Sequence, residues 1–250
     1  MTVKDKILQG RTYLGIELGS TRIKAVLIDD SFSVIASGSK QWENRFENGC
    51  WTYSLDDIHG GIQACYKDLA ENVKAQYGIY PETYGAMGIS AMMHGYMAFD
   101  KNDKLLVPFR TWRNTMTAQA AGELTKLLGF NIPQRWSIAH LYQAVLNKEA
   151  HVPYIAYINT LAGYVHKRLT DRFEVGVGEA SGIFPVEGIG YKKEYLELTE
   201  KSLAEKGFDH KLKDILPAVR NAGEKGAVLT EEGARFLDPE GRLKAGVPVC

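Results

Sequence analysis

The chain has 250 residues, 45% of them hydrophobic and 24% charged, with 30 basic and 30 acidic side chains and a formal net charge of zero. This is the composition of a soluble globular protein of one large or two small domains. It offers no basic field for nucleic acid or anionic lipid, and no apolar run approaches the ~18 residues of a membrane span. The N-terminus, residues 1–7, lacks the apolar segment of a secretory signal. The three cysteines, Cys50, Cys65 and Cys250, form no metal-type cluster and leave an odd thiol, which fits a reducing cytoplasm. The six histidines are scattered and lack zinc-site pairing, so no metal ligands are expected among the histidines and cysteines.

Strands come first. Residues 13–17 and 22–28 alternate, and 33–37 follow after Asp29-Asp30, which predicts a tightly connected three-stranded meander. Ile23, Ala25 and Leu27 against Lys24, Val26 and Ile28 suit a second strand buried on one face and mostly on the other. Residues 41–53 read as a loop carrying Trp42, Phe46 and Trp51. Ser54 and Asp57 form a capping box, and Ile58, Ile62, Cys65, Tyr66, Leu69 and Val73 give the helix behind it an apolar stripe. Residues 84–91 predict a strand, 96–99 and 105–109 extended segments, and 100–103 a turn between them.

Helices are expected from Thr117 to Leu128, stopped by Gly129, and from Ser137 to Asn147. A third runs from Asn159 to Leu169, with His166, Lys167 and Arg168 near its negative end. A surface helix covers 192–206 and closes at Gly207. Residues 226–229 read as a short strand, 229–232 as a turn and 243–249 as an apolar strand ending the chain. Termini are usually frayed and polar, so an end inside such a strand suggests a piece of something longer. The order of elements predicts one α/β domain with a mixed sheet.

Three segments can carry chemistry. Between the first two strands, Gly19-Ser20-Thr21 forms a small-residue turn whose backbone N–H groups and hydroxyls suit phosphate oxygens. Lys24 adds a cation, and Glu17 a carboxylate able to hold Mg²⁺ directly or through water. An ordinary hairpin would read the same way. At the end of the 84–91 strand, Met93 offers an apolar wall and His94 a neutral donor and acceptor, in the position where open α/β sheets contact ligands. Core methionine and a satisfied histidine are the plainer alternative. In Thr111-Trp112-Arg113-Asn114, the indole of Trp112 can pack on a sugar's C–H face while Arg113 and Asn114 supply directional hydrogen bonds. A buried tryptophan beside a capping asparagine would serve structure alone. Residues 176–182 look like a nucleotide loop but lack the GxGxxG spacing and a following amphipathic helix. Neither a nucleophile elbow nor a Walker loop occurs.

In this order the segments resemble the FGGY family of carbohydrate kinases, and within it the xylulokinase-like members. Residues 15–29 resemble the family's first phosphate loop, 88–95 its Gly-Ile-Ser-Gly-Gln-Met-His-Gly segment, 111–114 its tryptophan segment, and 169–170 with 180–182 its Leu-Thr-Gly and Ala-Ser-Gly-Thr stretches. The resemblance spans Tyr13 to Cys250 and implies a ribonuclease H-like, actin-like ATPase domain with a mixed five-stranded sheet flanked by helices. It implies the sugar-binding N-terminal domain of an enzyme that uses ATP and Mg²⁺ to phosphorylate a ketose or related sugar. Glu17, Gly19, Ser20, Thr21 and Lys24 would serve the phosphates and metal, and Met93, His94, Trp112 and Arg113 the sugar. The nucleotide domain and the catalytic base would lie beyond Cys250, leaving the chain inactive alone. A homodimer is left open.

The chain departs from the family in four places. Glu17 stands where aspartate is usual, Met92 replaces glutamine, Arg113 and Asn114 displace an Asn-Asp pair, and Ile183 follows where threonine is common. Together they leave the identity of the sugar open, and Glu17 with the altered tryptophan segment keeps open a non-catalytic sugar-binding module built on the same fold.

Overall fold

The computed structural model describes residues 1–221, 224 and 226–250. Helix α1 (Val3–Leu8) precedes strands β1 (Thr12–Leu18), β2 (Arg22–Asp29) and β3 (Val34–Gln41). A small hairpin, β4 (Arg45–Glu47) and β5 (Cys50–Thr52), leads to the long helix α2 (Leu55–Tyr77). Strands β6 (Ala86–Ala91) and β7 (Met97–Phe99) are followed by α3 (Ala118–Leu128), α4 (Ser137–Leu146), β8 (Tyr157–Asn159) and α5 (Leu161–Thr170). Then come β9 (Glu174–Gly176), α6 (Val177–Ala180), α7 (Lys193–Ala204), α8 (Leu212–Ile215) and β10 (Ala218–Arg220). Strand β11 (Ala227–Val228), helix α9 (Glu231–Leu237) and strand β12 (Pro248–Val249) end the chain.

The main sheet is mixed and has six strands in the order β11-β12-β6-β1-β2-β3, one more than the expected five. The extra strand is the two-residue β11, added antiparallel to β12 at the edge. Strands β12, β6 and β1 run parallel, and β2 and β3 turn back antiparallel. Leu14, Ile16, Leu18, Ile23, Ala25 and Leu27 are buried beneath α2. The opposite face is open, contrary to the expectation for the second strand: Tyr13, Gly15, Glu17, Lys24 and Val26 are exposed. Gly15 pairs with both Val26 and Gly88, so the middle of this face is bare of side chains on β1 and β6.

Local signals place the helices. Asp57 N–H donates to Ser54 Oγ at 3.0 Å and Ser54 N–H to Asp57 Oδ2 at 3.2 Å, closing the capping box that starts α2. Gly78 ends that helix at φ 76° and Gly129 ends α3 at φ 59°, both left-handed caps. Strand β3 runs to Gln41, beyond the expected Ser37, because Gly38 lies where α2 crosses. A Cβ there would stand 2.4 Å from Leu69 N and 2.5 Å from the Cys65 carbonyl.

Four expectations change. Helix α1 was not expected, although Thr2 and Asp5 form its capping box; Lys6 on this helix reaches Asp29 at 2.7 Å and holds that carboxyl down at about 2. The 41–53 loop contains the β4–β5 hairpin. Residues 229–232 open α9, capped by Thr230, which accepts from Gly233 N–H at 2.9 Å. Helix α5 begins at Leu161 because Tyr157–Asn159 pair with β7 as a strand.

A second core lies beside the sheet. Leu124, Ile138, Leu141, Tyr142, Ile158, Phe184, Leu203 and Phe208 pack helices α3, α4 and α7 together. His140 sits within it, fully buried, with neither ring nitrogen hydrogen-bonded among the described residues. Burial pulls its pKa down to about 3 and also lowers those of His59, His94, His151 and His166. An unfolded histidine takes a proton near pH 6.5. Below that pH the unfolded state binds more protons than the folded one, so stability falls as pH drops from about 6.5 toward the folded values. The melting temperature should therefore decline between pH 7 and 5, and His140→Phe should flatten that slope in calorimetry. An unchanged slope would remove His140 from the acid response.

Candidate functional site

The turn between β1 and β2 is held from below by aromatic side chains. Trp42 Nε1 donates to the Gly19 carbonyl at 2.7 Å, Tyr53 Oη to the Ser20 carbonyl at 2.5 Å, and Trp42 N–H to the Thr21 carbonyl at 3.2 Å. The two rings stack at 4.2 Å. In a trans peptide the N–H points opposite to the preceding C=O, so anchoring these carbonyls turns the amides of Ser20 and Thr21 outward. Both residues are exposed. Gly19 contributes differently: its own N–H donates to the Arg22 carbonyl at 3.1 Å, and a Cβ would stand 3.0 Å from that oxygen. Glu17 and Lys24 face each other on the open side of the hairpin, 3.4 Å apart and each 53% exposed.

Strand β6 delivers the second segment. It pairs in register with β1 as far as Leu18 and Ala91, and Met92 N–H donates to the Leu18 carbonyl at 3.0 Å. The loops after two neighbouring parallel strands thus leave the same edge of the sheet. His94 follows at φ 69° and Gly95 at φ 96°. Left-handed geometry is strained for a histidine, and three contacts hold it. Gly95 N–H donates to the Arg135 carbonyl at 3.1 Å, Ser137 Oγ donates to the Gly95 carbonyl at 2.6 Å, and Tyr96 exchanges backbone hydrogen bonds with Arg110. Ser137, expected only to open a helix, therefore anchors this turn.

The Tyr96–Arg110 bridge ties the segment leaving the His94 turn to the one leading into the tryptophan segment. Asn114 is buried and clasps Trp51, with Nδ2 donating to its carbonyl and Oδ1 accepting from its N–H, both at 2.8 Å. Arg113 lies 3.8 Å over the Trp51 ring, a cation–π contact. Trp112 is left 44% exposed. Hairpin β4–β5 thus joins the tryptophan segment to the aromatic pair beneath the Gly19 turn.

Beside Met93 opens a cavity of about 430 Å³. Its floor is Ile89, Ser90, Ala91, Val249 and Cys250 at the C-terminal ends of β6 and β12, and its far wall comes from α5, β9, α6 and the end of β10. Among the predicted residues, Met93 lines it and His94 stands behind, packed on Gly182. His94 Nδ1 has no hydrogen-bond partner among the described residues, and burial lowers the ring's pKa, which keeps the imidazole neutral. The turn residues 17–24, Trp112 and Arg113 lie outside the cavity lining.

Sequence reasoning missed the polar far wall of His166, Glu174, Glu179 and Arg220. Glu174 accepts from Arg220 Nε at 2.8 Å and lies 3.7 Å from His166 Nε2. Burial raises the pKa of Glu179. The 176–182 segment, set aside as a false nucleotide loop, in fact forms part of this wall and backs His94. The signal available was the Ala180-Ser181-Gly182 match.

Residues 12–250 match the model of the FGGY family of carbohydrate kinases, N-terminal domain. The xylulose kinase of Haemophilus influenzae is 24% identical over 239 residues, covering 90% of this chain and 47% of that protein. Among solved structures, the xylulose kinase of Rhodospirillum rubrum superposes with a TM-score of 0.78 at 18% identity, over 96% of this chain and 48% of that one. The gluconate kinase of Lactobacillus acidophilus superposes at 0.72 with 18% identity, over 95% and 46%. The α/β fold is thus shared with solved sugar kinases. The chain belongs to the FGGY family of carbohydrate kinases, as its N-terminal domain. It spans about half the length or less of the relatives it matches.

A Cβ on Gly182 would stand 2.5 Å from His94 Nδ1. Gly182→Ala should push the His94 ring from its place while costing about 1–3 kcal/mol of stability. The histidine's NMR signals should shift and its pKa move back toward 6.5, because burial is what depresses it. Unmoved His94 signals in a folded variant would refute the contact.

Proposed function

We propose that this chain is the sugar-binding domain of an ATP-dependent kinase that phosphorylates a hydroxyl of an uncharged ketose of the xylulose type. One observation carries the reading: parallel strands β1, β6 and β12 end at one edge of the sheet, so the Gly19–Thr21 turn, Met93–His94 and Cys250 open together. Ligands of open α/β sheets lie at such carboxyl ends.

The residues of the turn fit phosphate. The amides and hydroxyls of Ser20 and Thr21 face outward, Lys24 provides a cation held only by an exposed pair with Glu17, and Gly19 keeps the turn tight. Glu17 is exposed beside them and suits a metal-bound water. Bound ATP with Mg²⁺ would supply the phosphoryl group, and catalysis of this kind is mostly positioning and charge stabilisation. Met93 and Trp112 offer apolar faces to the sugar's carbons. Neutral His94 and the Arg113 guanidinium hydrogen-bond its hydroxyls.

The general base and most of the nucleotide site belong, in this reading, to a second domain that follows Cys250 in the parent protein, as the family resemblance implies. The open sheet face around Gly15 and Gly88 leaves room for it. No helix among the described residues is long and apolar enough to cross a membrane, and the three cysteines are free. We place the enzyme in the reducing cytoplasm, where ATP is available.

Calorimetry on residues 1–250 should detect d-xylulose binding, weakened at least about tenfold by His94→Ala, since a lost polar partner in a desolvated site is worth about 1–3 kcal/mol. The chain alone should release no ADP from ATP and sugar. Wild-type affinity in His94→Ala would remove the assigned pocket, and robust ADP release would overturn the placement of the base beyond Cys250.

A further inference from the structure

The cavity beside Met93 has a wall that the sugar-site residues above do not explain. Glu179 projects from the first turn behind Gly176 and Gly178, two glycines that leave the cavity lined there by backbone. Its Oε1 is buried and has no hydrogen-bond partner among the described residues. The neighbouring carboxylate is treated differently: Glu174 receives Arg220 at 2.8 Å. On the same wall His166 Nε2, 3.7 Å from Glu174, is likewise buried without a hydrogen-bond partner among the described residues. Buried polar atoms are ordinarily satisfied, and one left without a partner is costly. Two such atoms on one cavity wall mark a place where a hydroxyl-bearing molecule would complete the hydrogen bonding. A volume of about 430 Å³ is ample for a small sugar.

Resting on the kinase-domain reading, we propose that Glu179 is a specificity-determining residue: it accepts hydrogen bonds from the hydroxyls of an uncharged polyhydroxylated substrate and turns away substrates that carry a carboxylate. The chemistry is asymmetric. A ketose brings hydroxyl donors to an oxygen that lacks one, whereas an aldonate brings a second anion to a carboxylate with no ion pair among the described residues. Arg220 in the same lining is already engaged by Glu174, and like charges in a desolvated site repel strongly. Burial raises the pKa of Glu179, as expected for a carboxylate with no ion pair among the described residues. His166 on the same wall can donate or accept through Nε2, according to its tautomer.

The experiment is calorimetry on residues 1–250 with d-xylulose and d-gluconate, with melting temperature read in parallel. The wild type should prefer d-xylulose by at least about tenfold, and the isosteric, uncharged Glu179→Gln should narrow that preference to below about threefold, since hydrogen bonds to charged groups are the stronger ones. The sugar-free melting temperature of Glu179→Gln should rise by about 2–4 °C as an unpaired buried charge is removed. Should that variant fold poorly by circular dichroism, Glu179→Asp keeps the charge and must retain the discrimination while weakening xylulose. Unchanged selectivity in folded Glu179→Gln overturns the inference, as does loss of discrimination in Glu179→Asp. If His94→Ala abolishes xylulose binding while Glu179→Gln leaves selectivity intact, the kinase-domain reading stands and this inference falls. A wild type that prefers gluconate also defeats it without touching the sugar-kinase reading. A chain that binds neither sugar overturns both.

Discussion

Strand β7 is three residues long, fully buried, and divides its side chains between two cores. Met97 and Phe99 point into the core beneath the sheet, while Tyr96 just before the strand and Ala98 within it point into the helical core. Alternation along a strand makes this division absolute, and a slip of one residue would exchange every contact. Phe99 stacks on Tyr157 at 4.9 Å and on Tyr164 at 5.3 Å, fixing β7 against β8 and α5. On the other side Tyr96 hydrogen-bonds His151 at 2.9 Å and lies beneath the Arg110 guanidinium, which is itself paired with Glu149. Both cores depend on this register, and so does the His94 turn that feeds directly into it.

That dependence explains how a strained turn persists. A non-glycine residue in the left-handed region costs on the order of 1–3 kcal/mol. The Gly95 peptide next to it is held at both ends, its N–H by the Arg135 carbonyl and its C=O by Ser137 at the head of α4. Gly95 itself is obligatory, because a Cβ there would stand 2.7 Å from the Arg110 carbonyl. The helical core therefore does more than add stability. It holds the backbone that aims His94, and Gly182 supplies the space into which the ring fits.

Local chemistry made much of the fold legible. The Ser54–Asp57 box, the glycine stops at Gly129 and Gly207, and the period-two burial in β1 and β2 act within a few residues of where they are read. Hidden elements depend on distant partners. Strands β9 and β10 are three residues each and become strands only by pairing across 174–176 and 218–220. The polar wall of the cavity follows from that pairing, so Arg220 could not be placed beside Glu174 from spacing alone. The same limit applied to Trp42 and Tyr53: nothing local shows that they reach the Gly19 turn. His94 and Trp112 were singled out by residue type and by family resemblance, while the Tyr96–Arg110 bridge that ties their two segments together is a pairing no local signal shows.

The family departure at Glu17 can be weighed on geometry. Glu17 and Lys24 are cross-strand partners on the open face of the hairpin, 3.4 Å apart, with half of each side chain in water. An ion pair so exposed is worth about 0–1 kcal/mol, so opening it toward an incoming ligand costs little. The extra methylene, which would displace a carboxylate fixed in a packed site, here lengthens a side chain that has room to move. Ser90 stands opposite on β6 and is exposed as well, and Gly19 cannot obstruct. The backbone amides above, held outward by Trp42 and Tyr53, are indifferent to the change. Glutamate at this position therefore alters the reach of the acid and leaves the outward-facing amides of the turn intact.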